Sequence, residues 1–167
     1  MSLTATRQEG IEVYEKPLTF TTMKQAVTSI TDSTKLVTAE ESGTIFTLNR
    51  AGGITVTLPT AAAGLMYEFH IGTTFTGTLT INADSSSDTL QGVLTMVDTD
   101  ITVNDLDDGV ENCGFAKPAA ADHQIVMDAD TKGRLLGGMI KYVCITDSKW
   151  VVSGHTIGDG AIATPFT

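Results

Sequence analysis

Basic charge, cysteine, aromatic residues and long apolar runs are all scarce in this chain, and each shortage closes off a class of function. Ten Lys and Arg stand against twenty Asp and Glu, a formal net charge of −10 with a sequence pI near 4.5. Nucleic-acid affinity comes mostly from basic side chains neutralising phosphates, so this balance argues against DNA and RNA as partners. The same sign opposes an anionic membrane surface. No run approaches the ~18 apolar residues that a spanning helix needs, and Met1 to Gly10 is polar, without the apolar stretch of an export signal. A soluble chain made and kept in a reducing cytoplasm is expected. Two cysteines, Cys113 and Cys144, are too few for a disulfide framework and are expected as free thiols. Aromatics at 6% leave little stacking surface for a sugar platform.

Apolar residues make up 41% of the 167 residues, enough for one domain with a real core, and threonine is about one residue in six. The apolar residues recur at period two. Ile54, Val56 and Leu58 alternate with Thr55 and Thr57; Tyr67, Phe69 and Ile71 with Glu68 and His70; Leu79 and Ile81 with Thr78 and Thr80. Successive side chains of a strand point to opposite faces, so each run reads as a half-buried strand, with threonine's β-branched side chain on the watered face. Ser42-Gly43, Ala51-Gly52-Gly53 and Pro59 to Gly64 punctuate the runs, and Pro59 ends its strand because it lacks the N–H a ladder requires. Strands recurring every ~8 to 12 residues predict a small all-β domain, an antiparallel, jelly-roll-like β-sandwich or barrel with a central meander. Met139 to Ile145 and Trp150 to Ser153, joined by Thr146 to Lys149, predict a C-terminal hairpin.

Residues 1–35, with weak alternation and one ambiguous segment at Met23 to Ile30, read as an N-terminal arm or extension on a domain of residues 36–167. Residues 98–134 read as long loops around one or two strands such as Gln124 to Met127, and loops of this length are uncommon unless they have work to do. No internal repeat of 20 to 50 residues is evident, which disfavours a solenoid or propeller.

The search for chemistry assigns no catalytic, cofactor or metal residue. The acidic run from Asp98 to Glu111 has the oxygens that calcium favours, but Asp105, Asp107, Asp108 and Glu111 do not fall at EF-hand spacing, and the run reads as a solvated loop. His70, His123 and His155 form no paired ligand motif and read as surface histidines. Cys144 reads as a small buried hydrophobe, and Cys113 has no neighbouring base to activate it. No serine lies in a nucleophile elbow. Lys132-Gly133-Arg134, followed by Gly137-Gly138, lacks the order of a phosphate loop and reads as a turn before the last hairpin; Gly154 to Gly160 is equally weak as a binding loop. Paired carboxylates meet in space rather than in sequence, so a glycosidase is disfavoured only by the scarce aromatics.

One stretch resembles a known module. Thr38-Ala39-Glu40-Glu41-Ser42-Gly43-Thr44-Ile45-Phe46-Thr47-Leu48, a Gly-rich turn, Ile54-Thr55-Val56-Thr57-Leu58-Pro59, then Ala61 to Phe69, is similar to a β-module of tailed-phage virion proteins. Members include capsid decoration (cement) proteins and head or tail fibre modules. Lys149-Trp150-Val151-Val152-Ser153-Gly154 resembles its closing strand, so the likeness spans residues 36–154. The resemblance implies a non-enzymatic homotrimer on the capsid exterior that bridges major capsid protein subunits, with no cofactor and with the arm on the capsid or a neighbour. The alternative it leaves is a fibre or receptor-binding module for host glycan or protein, although the chain has no heptads to build a shaft.

Overall fold

Alternation places strands where the runs lie, but consecutive runs between residues 27 and 82 do not pair with one another. In the computed structural model, which describes residues 5–8, 11–14, 25–99 and 113–167, the first strands β1 (Ala5–Gln8) and β2 (Ile11–Tyr14) pair as a separate antiparallel hairpin. Then β3 (Val27–Ile30), β4 (Thr34–Leu36), β5 (Ile45–Leu48), β6 (Ile54–Thr57), β7 (Met66–Ile71) and β8 (Leu79–Asn82) alternate between two facing sheets. In one sheet β3, β5 and β7 run parallel; in the other β4, β6 and β8 do. The chain thus winds three flattened coils, each contributing one strand to each sheet. Backbone bonds tie one coil to the next, as from the Asn49 amide to the Ile30 carbonyl (2.8 Å) and from the Thr55 amide to the Ser33 carbonyl (2.9 Å).

The remaining strands complete the sheets. β9 (Thr89–Asp98), β10 (Cys113–Ala116), β12 (Met139–Thr146) and β13 (Lys149–Gly158) extend the first into seven strands in the order β10-β9-β13-β12-β7-β5-β3. β11 (Gln124–Met127) makes the second a four-stranded sheet, β11-β8-β6-β4. The hairpin of β12 and β13 forms as its sequence predicts, antiparallel and with a register shift near Thr146. β13 then runs parallel to β9 over its whole length, from Lys149 beside Thr89 to Gly158 beside Asp98.

The two packed mixed sheets make a β-sandwich, as expected from composition and period, while four details differ. The strand directions are mixed rather than antiparallel, and the expected meander is a short solenoid-like winding. Alternation reports which face a residue takes, not which strand lies beside it, and the coil turns differ in length, so no fixed sequence period marks them. The sheets also begin inside the segment assigned to the arm, because β3 lies within residues 1–35 and β4 straddles their boundary with the domain, and these strands pair with β5 and β6. Gly154 to Gly158 belong to β13 rather than to a loop.

The inner faces meet over the chain's few aromatics. Trp150, Tyr67, Tyr142, Phe46, Phe69 and Phe75 are fully buried, together with Leu79 and Ile81 from the smaller sheet. Register creates these contacts: Tyr67 lies beside Tyr142, and Phe46 beside Phe69. Phe46 and Phe69 stack at 5.4 Å between ring centroids, and Tyr142 meets Trp150 edge-on at 6.4 Å. Burying each such side chain is worth ~1.5–3 kcal/mol, so a few aromatics suffice when they are gathered inside. At one end of the core Lys35 bonds Glu41 at 2.6 Å and sits 5.6 Å over the Phe46 ring. No helix of the described residues is long and apolar enough to cross a membrane.

Candidate functional site

Among the described residues, those singled out for chemistry do not come together. Among the described residues no group of three or more His, Cys, Asp and Glu is placed to hold a metal ion. The acidic run lies outside the described residues apart from Asp98, whose carboxylate accepts a bond from the Gly160 amide (3.1 Å). Lys132 and Arg134 are already engaged: Lys132 pairs with Asp128 at 3.0 Å and Arg134 with Asp130 at 2.7 Å, which closes the turn as an internally neutralised unit. The Lys132 contact holds the Asp128 carboxyl below the usual carboxylate range. Cys144 is buried and its thiol is pushed up by burial; Cys113 is an exposed free thiol at the start of β10. His70 lies beside Glu68 at 2.5 Å on the outer side of β7.

Three buried groups have perturbed acidities for structural reasons. Burial pushes the Tyr67 hydroxyl up to about 12, reinforced by the charge of Glu41; its O–H donates to the Thr38 carbonyl at 3.0 Å and so fastens β7 to the turn before β5. Tyr142 is raised by burial alone. Asp88 is raised by burial and by the charge of Asp84, while the Ala61 and Ser85 amides hold it down. Asp84 in turn accepts a bond from the Thr60 hydroxyl (2.7 Å), so the two acids pin the turn between β8 and β9.

What the strands do assemble is a face. The outward side chains of the seven-stranded sheet fall into rows set by register. One row runs Met66, Val143, Val151, Gln91; the next Glu68, Lys141, Ser153, Val93; the next His70, Met139, His155, Thr95, Phe115. Met66, Val93 and Phe115 are exposed, Phe115 at 76% of its surface, while Met139, Val143 and Val151 are half-buried among their neighbours. Glu68 and Lys141 are the charged groups in these three rows, one of each sign. A dent of about 140 Å³ interrupts the face between Gln25, Met66, Glu68 and Lys141. At the far edge a broad, shallow groove of about 630 Å³ runs past Gln91, Gly92, Lys117 and Lys149.

Sequence reasoning found β7, β12 and β13 of this face but neither β9 and β10 nor the face itself. Met139, Val143 and Val151 break the alternation of apolar with polar in β12 and β13, and such doubly apolar strands are the signal that both of their faces are meant to be covered. Comparison with known protein families, with curated proteins and with solved structures finds no match to this chain.

Proposed function

We propose that this chain is a virion structural protein, a capsid decoration (cement) protein that binds the outer surface of a phage head as a homotrimer and stabilises its lattice. The observation that carries the reading is the outer face of the seven-stranded mixed sheet, which exposes Met66, Val93 and Phe115 and which no other described strand covers: a surface suited to flat contact rather than to enclosing a small molecule. Monomeric proteins seldom expose contiguous apolar area beyond a few hundred Å². The resemblance of residues 36–154 to phage virion modules supplies the partner class.

The physics of cementing asks for nothing more elaborate. A ligand that binds only the assembled lattice stabilises that lattice by mass action. Three copies joined together turn weak single contacts into avid attachment. Acidic charge held in turns keeps the free protein soluble until it meets the shell. Within this reading the major capsid protein and two further copies of the chain are the partners.

The test is to mix the purified protein with decoration-free heads, then measure co-sedimentation and the capsid melting temperature. Pelleting with the heads and a raised melting temperature are expected. Failure to bind heads, with binding to whole host cells instead, would replace this reading with the fibre or receptor-binding one.

A further inference from the structure

The outer edge of β11 is closed by a segment that is not one of the sheet's four strands. β11 stands at the end of that sheet, so one of its sides has no ladder strand beside it. Residues 164–167 lie along this side, antiparallel, through an isolated pairing of Phe166 with Ile125. The Val126 amide donates to the Pro165 carbonyl at 2.7 Å. The Gln124 and His123 amides donate to the Thr167 carbonyl at 3.1 Å, and the Thr167 amide donates back to the Gln124 carbonyl at 3.1 Å. Residues directly opposite each other share a face, so Phe166 enters the core beside Ile125, where only 4% of its surface is exposed. Thr164 and Thr167, on either side of it, are exposed.

The two sides of β11 are held very differently. Toward β8 the strand has four paired residues, and its Ile125 and Met127 are fully buried. Toward residues 164–167 it has one pair and one anchoring ring. Phe166 stands outside the series of ring contacts through Phe46, Phe69, Tyr142, Trp150 and Tyr67 at the centre of the core. Just before the segment the chain is tied down again, where the Ala163 amide donates to the Thr131 carbonyl at 2.9 Å and Ile162 packs against the core. Regions with few buried contacts open locally at lower cost than the whole fold. A pivot after Ala163 lets four residues leave without breaking a bond between β11 and β8. Such an opening uncovers the amides of His123, Gln124 and Val126, the Gln124 carbonyl and a slot for a ring beside Ile125. Those groups are what one more extended segment needs, backbone bonds for affinity and a side-chain pocket for specificity.

We infer that residues 164–167 are a strap that lifts while the two sheets stay packed, and that the β11 edge beneath it is a binding site for an extended segment carrying an aromatic side chain, with the strap as its resident occupant. The inference does not depend on the capsid reading.

The test is amide hydrogen exchange of the full chain, read residue by residue in low urea. Alternate amides of an antiparallel strand point to opposite sides, so Gln124 and Val126 report the strap while Ile125 reports the pairing with β8. In the parent, Val126 is expected to exchange at least about 10-fold faster than Ile125 and with little dependence on urea, as a local opening does. Val152→Ala weakens the core on which the open and closed forms both rest, so it is expected to speed Ile125 and leave Val126 at the parent's rate. Phe166→Ala removes the anchor and is expected to speed Val126 about 10- to 100-fold, the range that burial of one such ring sets, with Trp150 fluorescence unchanged. In that variant a synthetic peptide of residues 163–167, at about 5 mM, is expected to slow Val126 about threefold or more, because it carries the ring the variant has lost and matches the millimolar effective concentration of a tethered segment. The same peptide with Phe166→Ala is expected to have no effect. Phe166→Leu, which keeps an apolar anchor, is read alongside and is expected to respond to the parent peptide in the same direction. Val126 and Ile125 exchanging together in the parent and in Val152→Ala overturns the strap; a parent peptide without effect on either Phe166 variant overturns the site.

Discussion

The two outer faces of the sandwich are built from the same kind of strand and differ in what they present to water. On the four-stranded sheet the rows are Thr34, Thr55, Thr80, Val126 and Leu36, Thr57, Asn82, Gln124. On the seven-stranded sheet they carry Met66, Val143, Val151, Met139, Val93 and Phe115. Threonine satisfies the pleat with a branched side chain and water with its hydroxyl, so most of the first face is finished as it stands, with Leu36 its exposed apolar exception at the edge. The second leaves apolar surface exposed, which costs free energy until something covers it. An outward strand position is therefore no guarantee of a solvent role, and the threonine face supplies the internal standard against which the other stands out.

The contrast can be broken at its root by removing what holds both faces apart. Trp150→Ala empties the centre of the aromatic cluster, where the side chain is fully buried against Tyr67 and Tyr142, and is expected to cost ~3–5 kcal/mol in urea or thermal unfolding. A loss below ~1 kcal/mol would mean the two sheets do not depend on a shared core. A smaller effect should fall on the large sheet alone. Gly154 holds a φ of +136°, and a Cβ there would run into the Met139 carbonyl oxygen of the neighbouring strand. Gly154→Ala is expected to cost about 1–3 kcal/mol and to loosen β12 from β13, read as faster amide exchange at Val143 and Val151 than at Thr55 and Thr80. Equal acceleration on both sheets would erase the distinction. The smallest effect comes from converting one face toward the other. Thr55→Val with Thr80→Val should change stability by less than about 0.5 kcal/mol while adding a concentration-dependent rise in light scattering. Unchanged scattering would show that apolar outward residues alone do not make a contact face.

How much of this was legible beforehand differs between levels of structure. The runs through Ile54, Tyr67 and Leu79 announced their strands, since period-two burial needs no knowledge of neighbours. Gln124 to Met127 and the β12–β13 hairpin were legible for the same reason, helped by a short polar connection. Pairing was not. Phe46 sits beside Phe69 because β5 and β7 are successive turns of one winding, and nothing local in either segment specifies that partner. β9 escaped because Gly92 interrupts its apolar positions at Leu90, Leu94 and Met96; the glycine adopts a φ of +110°, and a Cβ there would strike the Val152 carbonyl of β13. The dent beside Lys141 was illegible in principle, since Gln25, Met66 and Lys141 meet only through the sheet.

The parallel ladder of β9 with β13 has a consequence for how the molecule is made. The coils from β3 to β8 pair segments that follow closely along the chain, so they can close early and with little loop entropy. The β9–β13 ladder joins residues that lie 60 positions apart throughout, and β13 is the last strand of the sheet to leave the ribosome. Non-local strand pairing of this kind is slow. Until it forms, β9 presents an unpaired edge to every other nascent copy, and the same ladder that locks the finished sheet marks the interval in which the chain is most vulnerable to joining the wrong neighbour.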